Sequence, residues 1–261
     1  MLFVLVSACG SDNEAGAELT GDPYTSEPGT TVVVGPGSGR GTVMTTPAGD
    51  GCITLPTGEC VKPQSKCKAT ERADVIIDSK GKVVEIVCYP ASSTPTRIDG
   101  QGNIDIGKDN KRVVAIDGVA DGVDVAGNVS SRGNNVTVYG EGPAVSVIGG
   151  DVDAEGNNFA MRGVTVKGDV RVSGNNATLV LCLIEGDLVI EGNNAVLADC
   201  TVLGKVTIRG NNGILVGNSV SGGIGVADAK NTVCDGNVGW SDANGNLLLD
   251  PGEAGAAIGC N

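Results

Sequence analysis

Residues 150–221 read GDVDAEGNNFAMRGVTVK (150–167), GDVRVSGNNATLVLCLIE (168–185), GDLVIEGNNAVLADCTVL (186–203) and GKVTIRGNNGILVGNSVS (204–221). Each block has 18 residues and carries Gly-Asn-Asn from its seventh position. A fixed period indicates one unit that is copied and stacked, because so short a block cannot bury its apolar side chains alone. A fifth copy, GGIGVADAKNTVCDGNVG (222–239), follows, and its alignment indicates no insertion across the five blocks.

Four positions of the block are apolar in every copy. Positions 3 and 5 lie two residues apart, which is the spacing of a strand with one buried face. β-Branched residues and glycine dominate, and no helical i, i+3, i+4 pattern appears. Each block therefore predicts three short strands, which form one coil of a parallel β-solenoid. The rows predicted to face the interior are Val152, Val170, Leu188, Val206 and Ile224 (position 3), Ala154, Val172, Ile190, Ile208 and Val226 (position 5), Met161, Leu179, Leu197, Leu215 and Val233 (position 12), and Val166, Ile184, Val202, Val220 and Val238 (position 17).

Looser copies of the block precede the regular ones. Residues 102–119 repeat the opening of the block, and residues 127–149 resemble a block with five extra residues around 139–143. A left-handed hexapeptide helix would need an aliphatic residue every six positions, and position 11 varies too much for that (Ala160, Thr178, Val196). We therefore predict an all-β fold whose main part, residues 100–239, is a single-stranded right-handed parallel β-solenoid of about seven coils.

The Gly-Asn-Asn tripeptides are typical of tight corners. Glycine and asparagine tolerate positive φ, and asparagine side chains bond the backbone of a turn. Since neighbouring coils lie ~4.8 Å apart, we expect the first asparagines to form a ladder of stacked amides with a structural role. These are Asn157, Asn175, Asn193 and Asn211.

The N-terminus predicts location. Residues 1–9 are the predicted lipoprotein signal: residues 1–8 are apolar, and Leu-Val-Ser-Ala-Cys-Gly (5–10) resembles a bacterial lipobox, which implies that Cys9 is diacylated after export. No Lys or Arg precedes this run, so we expect a start codon further upstream; the alternative is an unmodified cysteine. Residues 10–50 are rich in Gly, Ser, Thr and Pro and indicate a disordered linker. No other segment approaches the ~18 apolar residues of a membrane span.

The other eight cysteines indicate disulfides, because their number is even and the chain is expected to be exported. A Cys-rich module at 51–91 reads as a hairpin with two bridges, and it contains no Cys-x-x-Cys pair, which disfavours zinc. Two later cysteines occupy the same block position and form either a disulfide or two stacked buried thiols. The last two are predicted to fix the C-terminal cap, residues 240–261. The candidates are Cys52, Cys60, Cys67, Cys88, Cys182, Cys200, Cys234 and Cys260.

The cap contains a possible calcium site. Oxygen ligands fall at positions 1, 3, 5, 9 and 12 of the loop 242–253, and a backbone carbonyl falls at position 7, which resembles an EF-hand loop. Leucine stands at position 6, where that loop has glycine, so an ordinary acidic turn is the alternative. The predicted ligands are Asp242, Asn244, Asn246, Leu248 (carbonyl), Asp250 and Glu253.

Catalytic signals are scarce. The chain has no histidine, which excludes a Ser-His-Asp triad and a histidine base. Asp151, Asp169 and Asp187 form an acidic row, with Lys205 next in line and Arg171 near it. The row resembles the calcium-binding ladders of right-handed β-helix polysaccharide lyases, which use Arg or Lys as a base. Aromatic residues make up only 2% of the chain, and the net charge of -13 disfavours nucleic acid as a partner.

Residues 127–239 resemble the Gly-Asn-Asn repeat families of bacterial envelope lipoproteins, which have no assigned activity. Weaker similarity to bactofilins, which polymerise end to end, rests on the Gly-Asp-Val openings. We expect a non-enzymatic lipoprotein, anchored in the membrane by lipid, with a structural or interaction role in the cell envelope and an envelope protein or polysaccharide as partner. The alternatives are a calcium-dependent lyase and a polymer-forming scaffold.

Overall fold

The computed structural model describes residues 32–34, 42–46, 52–55, 57–68, 71–90, 96–98, 100–108, 113–116, 124–140, 146–227, 231–246 and 252–260. The predicted lipidation site Cys9 lies outside these residues. In the described ranges the chain is all-β, apart from one 3₁₀ turn at Pro63–Ser65. Its N-terminal part contains the strands β1 (Val32–Val34), β2 (Thr42–Thr46), β3 (Ile53–Thr54), β4 (Cys60–Val61), β5 (Glu71–Ile77) and β6 (Val83–Pro90).

These strands form a small two-layer module. Four of them make an antiparallel sheet in the order β1-β2-β5-β6, and β3 and β4 form a separate hairpin. Val75 and Ile77 of β5 pack with Ile53 and Leu55 of the hairpin segment. Disulfides Cys52–Cys60 and Cys67–Cys88 confirm the predicted stapling. Two of these strands, β1 and β2, lie within residues 10–50, whose composition indicates a linker. Their valine and threonine residues favour strands locally, which the overall composition of the stretch does not reveal.

The remaining strands build the solenoid and its cap. They are β7 (Thr96–Ile98), β8 (Ile104–Gly107), β9 (Val113–Ile116), β10 (Val129–Ser131), β11 (Thr137–Tyr139), β12 (Val147–Ile148), β13 (Val152–Glu155), β14 (Ala160–Arg162), β15 (Thr165–Val166), β16 (Val170–Ser173), β17 (Thr178–Val180), β18 (Leu183–Ile184), β19 (Leu188–Glu191), β20 (Val196–Ala198), β21 (Thr201–Val202), β22 (Val206–Arg209), β23 (Ile214–Val216), β24 (Ser219–Val220), β25 (Ile224–Ala227), β26 (Val233–Asp235), β27 (Val238–Trp240) and β28 (Ala254–Ala257).

The strands stack into three parallel sheets, which confirms the β-solenoid. Sheet I consists of β8, β10, β13, β16, β19, β22 and β25, and sheet II of β7, β9, β11, β14, β17, β20, β23 and β26. Sheet III consists of β12, β15, β18, β21, β24, β27 and the antiparallel β28. In the four regular blocks, the chain passes from sheet I through the Gly-Asn-Asn corner to sheet II and then to sheet III. The corner that leads from sheet III into sheet I opens with glycine, which is followed by aspartate in three of the four blocks.

Pairing in register places the predicted rows inside. Val152 pairs with Val170, Val170 with Leu188, and Leu188 with Val206, so equivalent residues lie directly above one another. The side chains at positions 3, 5, 12 and 17 of the four regular blocks belong to one continuous buried cluster. Each coil packs its apolar side chains against those of the coils on either side, so the stack has one continuous core.

The regular part of the solenoid has about five turns rather than the predicted seven. Coils from β13 onward keep the short period, whereas residue pairs in the coil before them are 23 residues apart because of the extra segment after Tyr139. In the N-terminal coil, sheet III is represented by an isolated bridge between Gly100 and Val125. The right-handed sense stays a prediction.

The fifth block contains one extra residue, so its alignment without an insertion is wrong. Leu215 pairs with Cys234 and Val220 with Gly239, which is a spacing of 19 residues instead of 18. The insertion falls between Ala227 and Asn231, because the strand before it keeps the shorter spacing. Cys234 therefore takes the core position predicted for Val233, and the Val233 side chain is 45% exposed.

Candidate functional site

The acidic row lies at the Gly-Asp corner between sheets III and I, and its side chains bond the backbone. Oδ1 of Asp151 accepts the N–H of Asp169 at 2.8 Å, and Oδ1 of Asp169 accepts that of Asp187 at 2.8 Å. Oδ1 of Asp187 then accepts the N–H of Lys205 at 2.7 Å. Each aspartate thus satisfies a corner amide of the next coil. Asn128 does the same for Asp151 at 2.9 Å, so the hydrogen bond itself needs an oxygen and no charge.

Glycine is required beside this row because the coils approach closely. A Cβ on Gly186 would lie 2.3 Å from Oδ1 of Asp169 and 2.6 Å from the carbonyl oxygen of Gly168. The Gly-Asp pair therefore works as one corner unit, in which glycine leaves the room that the carboxylate of the neighbouring coil occupies.

The candidate base of a lyase mechanism, Arg171, is part of an ion-pair chain on the outer face of sheet I. Its Nη2 lies 2.6 Å from Oε2 of Glu191, and Nη1 of Arg209 lies 2.6 Å from Oε1 of the same glutamate. Exposed pairs of this kind contribute little stability individually. Glu191 thus bridges the arginines of the two coils on either side of it.

Both asparagines of the Gly-Asn-Asn corner form ladders. Oδ1 of Asn175 accepts the backbone N–H of Asn193 at 2.9 Å and its Nδ2 group at 3.0 Å, and the expected first ladder repeats this pattern coil after coil. The second asparagines have positive φ and stack independently; Nδ2 of Asn194 donates to Oδ1 of Asn176 at 2.9 Å. The second ladder extends from Asn135 through Asn158, Asn176, Asn194 and Asn212 to Asn231.

A third, buried column lies at the corner between sheets II and III. The N–H of Cys200 donates to Oδ1 of Asn218 at 2.9 Å, and the N–H of Asn218 donates to Oδ1 of Asn237 at 3.0 Å. Nδ2 of Asn218 and of Asn237 donate to the carbonyls of Leu197 and Leu215, both at 2.9 Å. Sequence reasoning missed this column, although Cys182, Cys200 and Asn218 share one block position and signal it. Asn237 joins them once the extra residue of the fifth block is taken into account.

Cys182 and Cys200 are free thiols inside the solenoid. Of the two alternatives for this pair, the structure shows stacked thiols and no disulfide. The N–H of Cys182 donates to Sγ of Cys200 at 3.4 Å, so the cysteine takes the acceptor role that asparagine has further along the column. Burial raises the pKa of the Cys200 thiol well above its ordinary value, and the neighbouring Cys182 adds to this effect. A neutral thiol is a poor nucleophile.

The last cysteine pair forms the disulfide Cys234–Cys260, as predicted for the cap. Cys67, Cys88 and Glu71 also place three potential metal ligands within 4.8 Å of one another. The two sulfurs of that group are already bonded to each other. The group is therefore a disulfide beside a carboxylate.

The described part of the calcium-like loop forms a tight turn. Oδ1 of Asp242 accepts the N–H of Gly245 at 2.7 Å, and Oδ1 of Asn244 accepts that of Asn246 at 3.0 Å. Oε1 of Glu253 accepts the N–H of Ala243 at 2.9 Å, which brings both ends of the loop together. The other two predicted ligands, Leu248 and Asp250, lie outside the described residues. Calcium binding stays a prediction.

The outer face of sheet II binds the N-terminal module, a contact that sequence reasoning missed. Nε of Arg162 in β14 lies 2.8 Å from Oδ2 of Asp74 in β5, and the Asp74 side chain is fully buried. The N–H of Val43 donates to Oδ2 of Asp199 at 2.8 Å, and a shared apolar cluster surrounds these contacts. That cluster consists of Val43, Ile76, Val180, Val196, Ala198 and Val216, with Val84, Val87, Leu181 and Ile214 packed against it.

Comparison with protein-family models, with curated proteins and with solved structures finds nothing that matches this chain. Across the residues that the structure describes, no helix has the length and apolar character of a membrane span.

Proposed function

We propose that this chain is a non-enzymatic lipoprotein, acylated at Cys9, whose solenoid has a structural or interaction role in the bacterial cell envelope. The lipid on Cys9 would anchor the chain in the membrane, and the solenoid would contact an envelope protein or polysaccharide. The proposal treats the repeated coils as a rigid body and assigns no reaction to them.

The observation that carries the proposal is the use of the exposed polar rows. Asp151, Asp169 and Asp187 each bond a backbone amide of the next coil through Oδ1. The asparagine ladders bond both the backbone and one another. Repetition of these residues is therefore explained by coil stacking, without a substrate. Arg171, the base that a lyase would need, is paired with Glu191.

Three disulfides support an exported location. Cys52–Cys60 and Cys67–Cys88 staple the module, and Cys234–Cys260 holds the cap. Such bonds form and persist in oxidising compartments. An envelope protein exposed to that environment gains from covalent links in the module, which is too small to build a large core of its own.

Acylation is tested by metabolic labelling with a clickable fatty acid. The native chain and Cys9→Ser are expressed in parallel in a bacterium that processes lipoproteins. We expect label on the native chain alone, and recovery of Cys9→Ser in the soluble fraction. Equal labelling of both chains, or none in either, would remove the lipid anchor from the proposal.

The absence of catalysis is tested with acidic polysaccharides, with and without calcium. The matched variant is Asp169→Asn/Asp187→Asn, which keeps the oxygen that each corner amide needs and removes the charge, as Asn128 shows in the same row. We expect no cleavage by the native chain and unchanged folding of the variant. Cleavage that is calcium-dependent and lost in the variant would replace the proposal with the lyase.

A further inference from the structure

The module contacts the solenoid along one row of residues on the outer face of sheet II. Equivalent residues of five successive coils pair with one another, so the row follows the solenoid axis. This docking row consists of Arg162, Val180, Ala198, Val216 and Asp235. Its ends carry opposite charges, and its three middle residues are apolar and buried in the cluster shared with the module. The docking row thus includes one residue from every regular coil.

One segment of the module reaches both ends of this row. At one end, Nε of Arg162 lies 2.8 Å from Oδ2 of Asp74 in β5. At the other end, the Asp235 carboxylate accepts the N–H of Ser79 at 2.6 Å and its hydroxyl at 3.1 Å. Between these contacts, Ile76 belongs to the apolar cluster over the middle of the row. β5 and the turn after it therefore run along the solenoid axis, across the strands of sheet II.

This segment of the module is about as long as the regular stack is high. Four coil steps of ~4.8 Å separate Arg162 from Asp235, which is ~19 Å along the axis. Five extended residues of ~3.3 Å each separate Asp74 from Ser79, which is ~17 Å. Docking in the opposite direction would bring the Asp74 carboxylate toward that of Asp235, and like charges repel. The segment and the docking row therefore fit each other in length, in direction and in charge.

Backbone strain in two coils indicates that the solenoid is adapted to the module. The residue that follows each member of the docking row has positive φ, and in three coils it is glycine (Gly163, Gly217 and Gly236). In the other two coils it is Leu181 (φ +55°) and Asp199 (φ +48°), although a side chain makes this conformation unfavourable. Leu181 packs against the shared apolar cluster, and Asp199 accepts the N–H of Val43 at 2.8 Å. Both strained residues thus contact the module.

We propose that the module is a lateral clamp that makes the five regular coils open as one unit. In a simple stack each coil contacts only its neighbours, so coils can open one after another from an end. The disulfide Cys234–Cys260 joins the tail to the last coil and to no earlier one. β5 and its turn bond the first and the last regular coil at once, so the last coil separates only if the module contact breaks too. The inference does not depend on acylation or on the absence of catalysis.

Breaking the clamp at its C-terminal end tests the proposal. Ser79 is the second residue of the turn 78–81, in which the N–H of Gly81 donates to the carbonyl of Asp78 at 2.9 Å. Proline is favoured at this position of a turn, so Ser79→Pro removes both donors to Asp235 and keeps the turn. Asp235→Ala removes the same two bonds from the side of the solenoid. The matched control Asp153→Ala removes an exposed carboxylate from the outer face of sheet I.

Native-state hydrogen exchange of the full chain, as Cys9→Ser, compares equivalent amides of sheet III, outside the docking row. Leu183 in the second regular coil and Val238 in the last one each donate to a carbonyl of the preceding coil. In the parent chain we expect equal protection of both amides. In Ser79→Pro and in Asp235→Ala, the Val238 amide should exchange about tenfold faster, because two hydrogen bonds to a carboxylate are lost. The Leu183 amide should exchange as in the parent chain.

Two further variants complete the test. Ser79→Pro/Asp235→Ala should behave like either single variant, because all three lack the same contact. Asp153→Ala should behave like the parent chain. Faster exchange at Val238 than at Leu183 in the parent chain would overturn the proposal, because the last coil would then open alone. Unchanged exchange in both single variants, additive effects in the double variant, or equal acceleration by Asp153→Ala would overturn it as well.

Discussion

The solenoid and the N-terminal module bury apolar side chains by different means. In the solenoid, equivalent residues of successive coils pair in register, and Cys182 and Cys200 remain thiols. The module has one four-stranded sheet, with a hairpin against one face and sheet II against the other. One disulfide, Cys52–Cys60, lies within the hairpin segment, and the other, Cys67–Cys88, reaches β6 of the sheet. Each coil of a repeat buries its apolar side chains against identical coils on either side, whereas a small sheet needs other segments of the chain to cover its two faces.

Substitution of Arg162 should give the largest loss of stability, because its ion pair with the buried Asp74 joins the solenoid to the module. Arg162→Met leaves the buried carboxylate of Asp74 without its guanidinium, and we expect a loss of about 3–5 kcal/mol in unfolding free energy. Hydrogen exchange of β5 should accelerate together with a shift in the urea transition. The double variant Asp74→Leu/Arg162→Met is the control and should recover most of the loss. Unchanged exchange in β5 would show that the module is stable alone.

Coil spacing gives the next largest effect. A Cβ on Gly192 would lie 1.9 Å from the carbonyl oxygen of Gly174, so Gly192→Ala forces neighbouring coils apart. We expect a loss of about 3 kcal/mol, measured by chemical denaturation. Gly223→Ala is the control: its φ is +79°, and no atom lies within 4 Å of the added Cβ, so only the backbone cost of about 1 kcal/mol should appear. Equal losses would contradict the close-packing argument.

The amide ladder should contribute less, since water can reach it. Asn193→Ala removes the acceptor of the Asn211 amide, which lies 2.9 Å away, and we expect a loss of about 1 kcal/mol in the same denaturation experiment. Asn193→Asp keeps an acceptor at this position and should lose less than the alanine variant. If Asn193→Ala unfolds at the same denaturant concentration as the parent chain, the exposed asparagines do not stabilise the corner.

The smallest effect is expected at Asp105, in the irregular N-terminal coil. The N–H of Gly107, which donates to Oδ1, and the Arg132 guanidinium hold the pKa of Asp105 below its ordinary value. The carboxylate therefore stabilises the fold above the pKa of the unfolded chain, and the contribution disappears as pH falls through the lowered value. At pH 7, Asp105→Asn should unfold at a slightly lower denaturant concentration than the parent chain. The difference should vanish in strong acid; a difference that persists there would contradict this origin.

The repeat could be predicted because stacking imposes one residue type at one position. The interior rows of the four regular blocks and the first asparagine ladder follow from the 18-residue period, and the structure confirms both. In the fifth block the prediction for Val233 is wrong. The apolar residues on the outer face of sheet II indicated a further contact. The 18-residue period explains only the residues that face the core, so it did not predict that contact. Val180, Ala198 and Val216 share an outward position, and they are buried because the module covers them.

Contacts between distant segments could not be derived from the period. Arg162 and Asp74 are 88 residues apart, and nothing in either local pattern selects the other as its partner. The extra residue of the fifth block was hidden for a different reason. Val233 and Cys234 are both apolar, so either one fits a core row, and only strand pairing distinguishes them.

The extra residue of the fifth block places Cys234 against the core of the last coil, where its disulfide to Cys260 holds the tail. Without that residue, the inward position would belong to Val233, and the Cys234 thiol would point away from the tail that its disulfide now fastens. A shift of one residue reverses the side that each side chain faces. The last coil thus differs from the others in being covered. A further block added after residue 239 would meet the antiparallel strand β28 and the disulfide Cys234–Cys260 in place of an open coil. The last coil therefore sets where stacking ends, and the number of blocks before it sets the length of the solenoid.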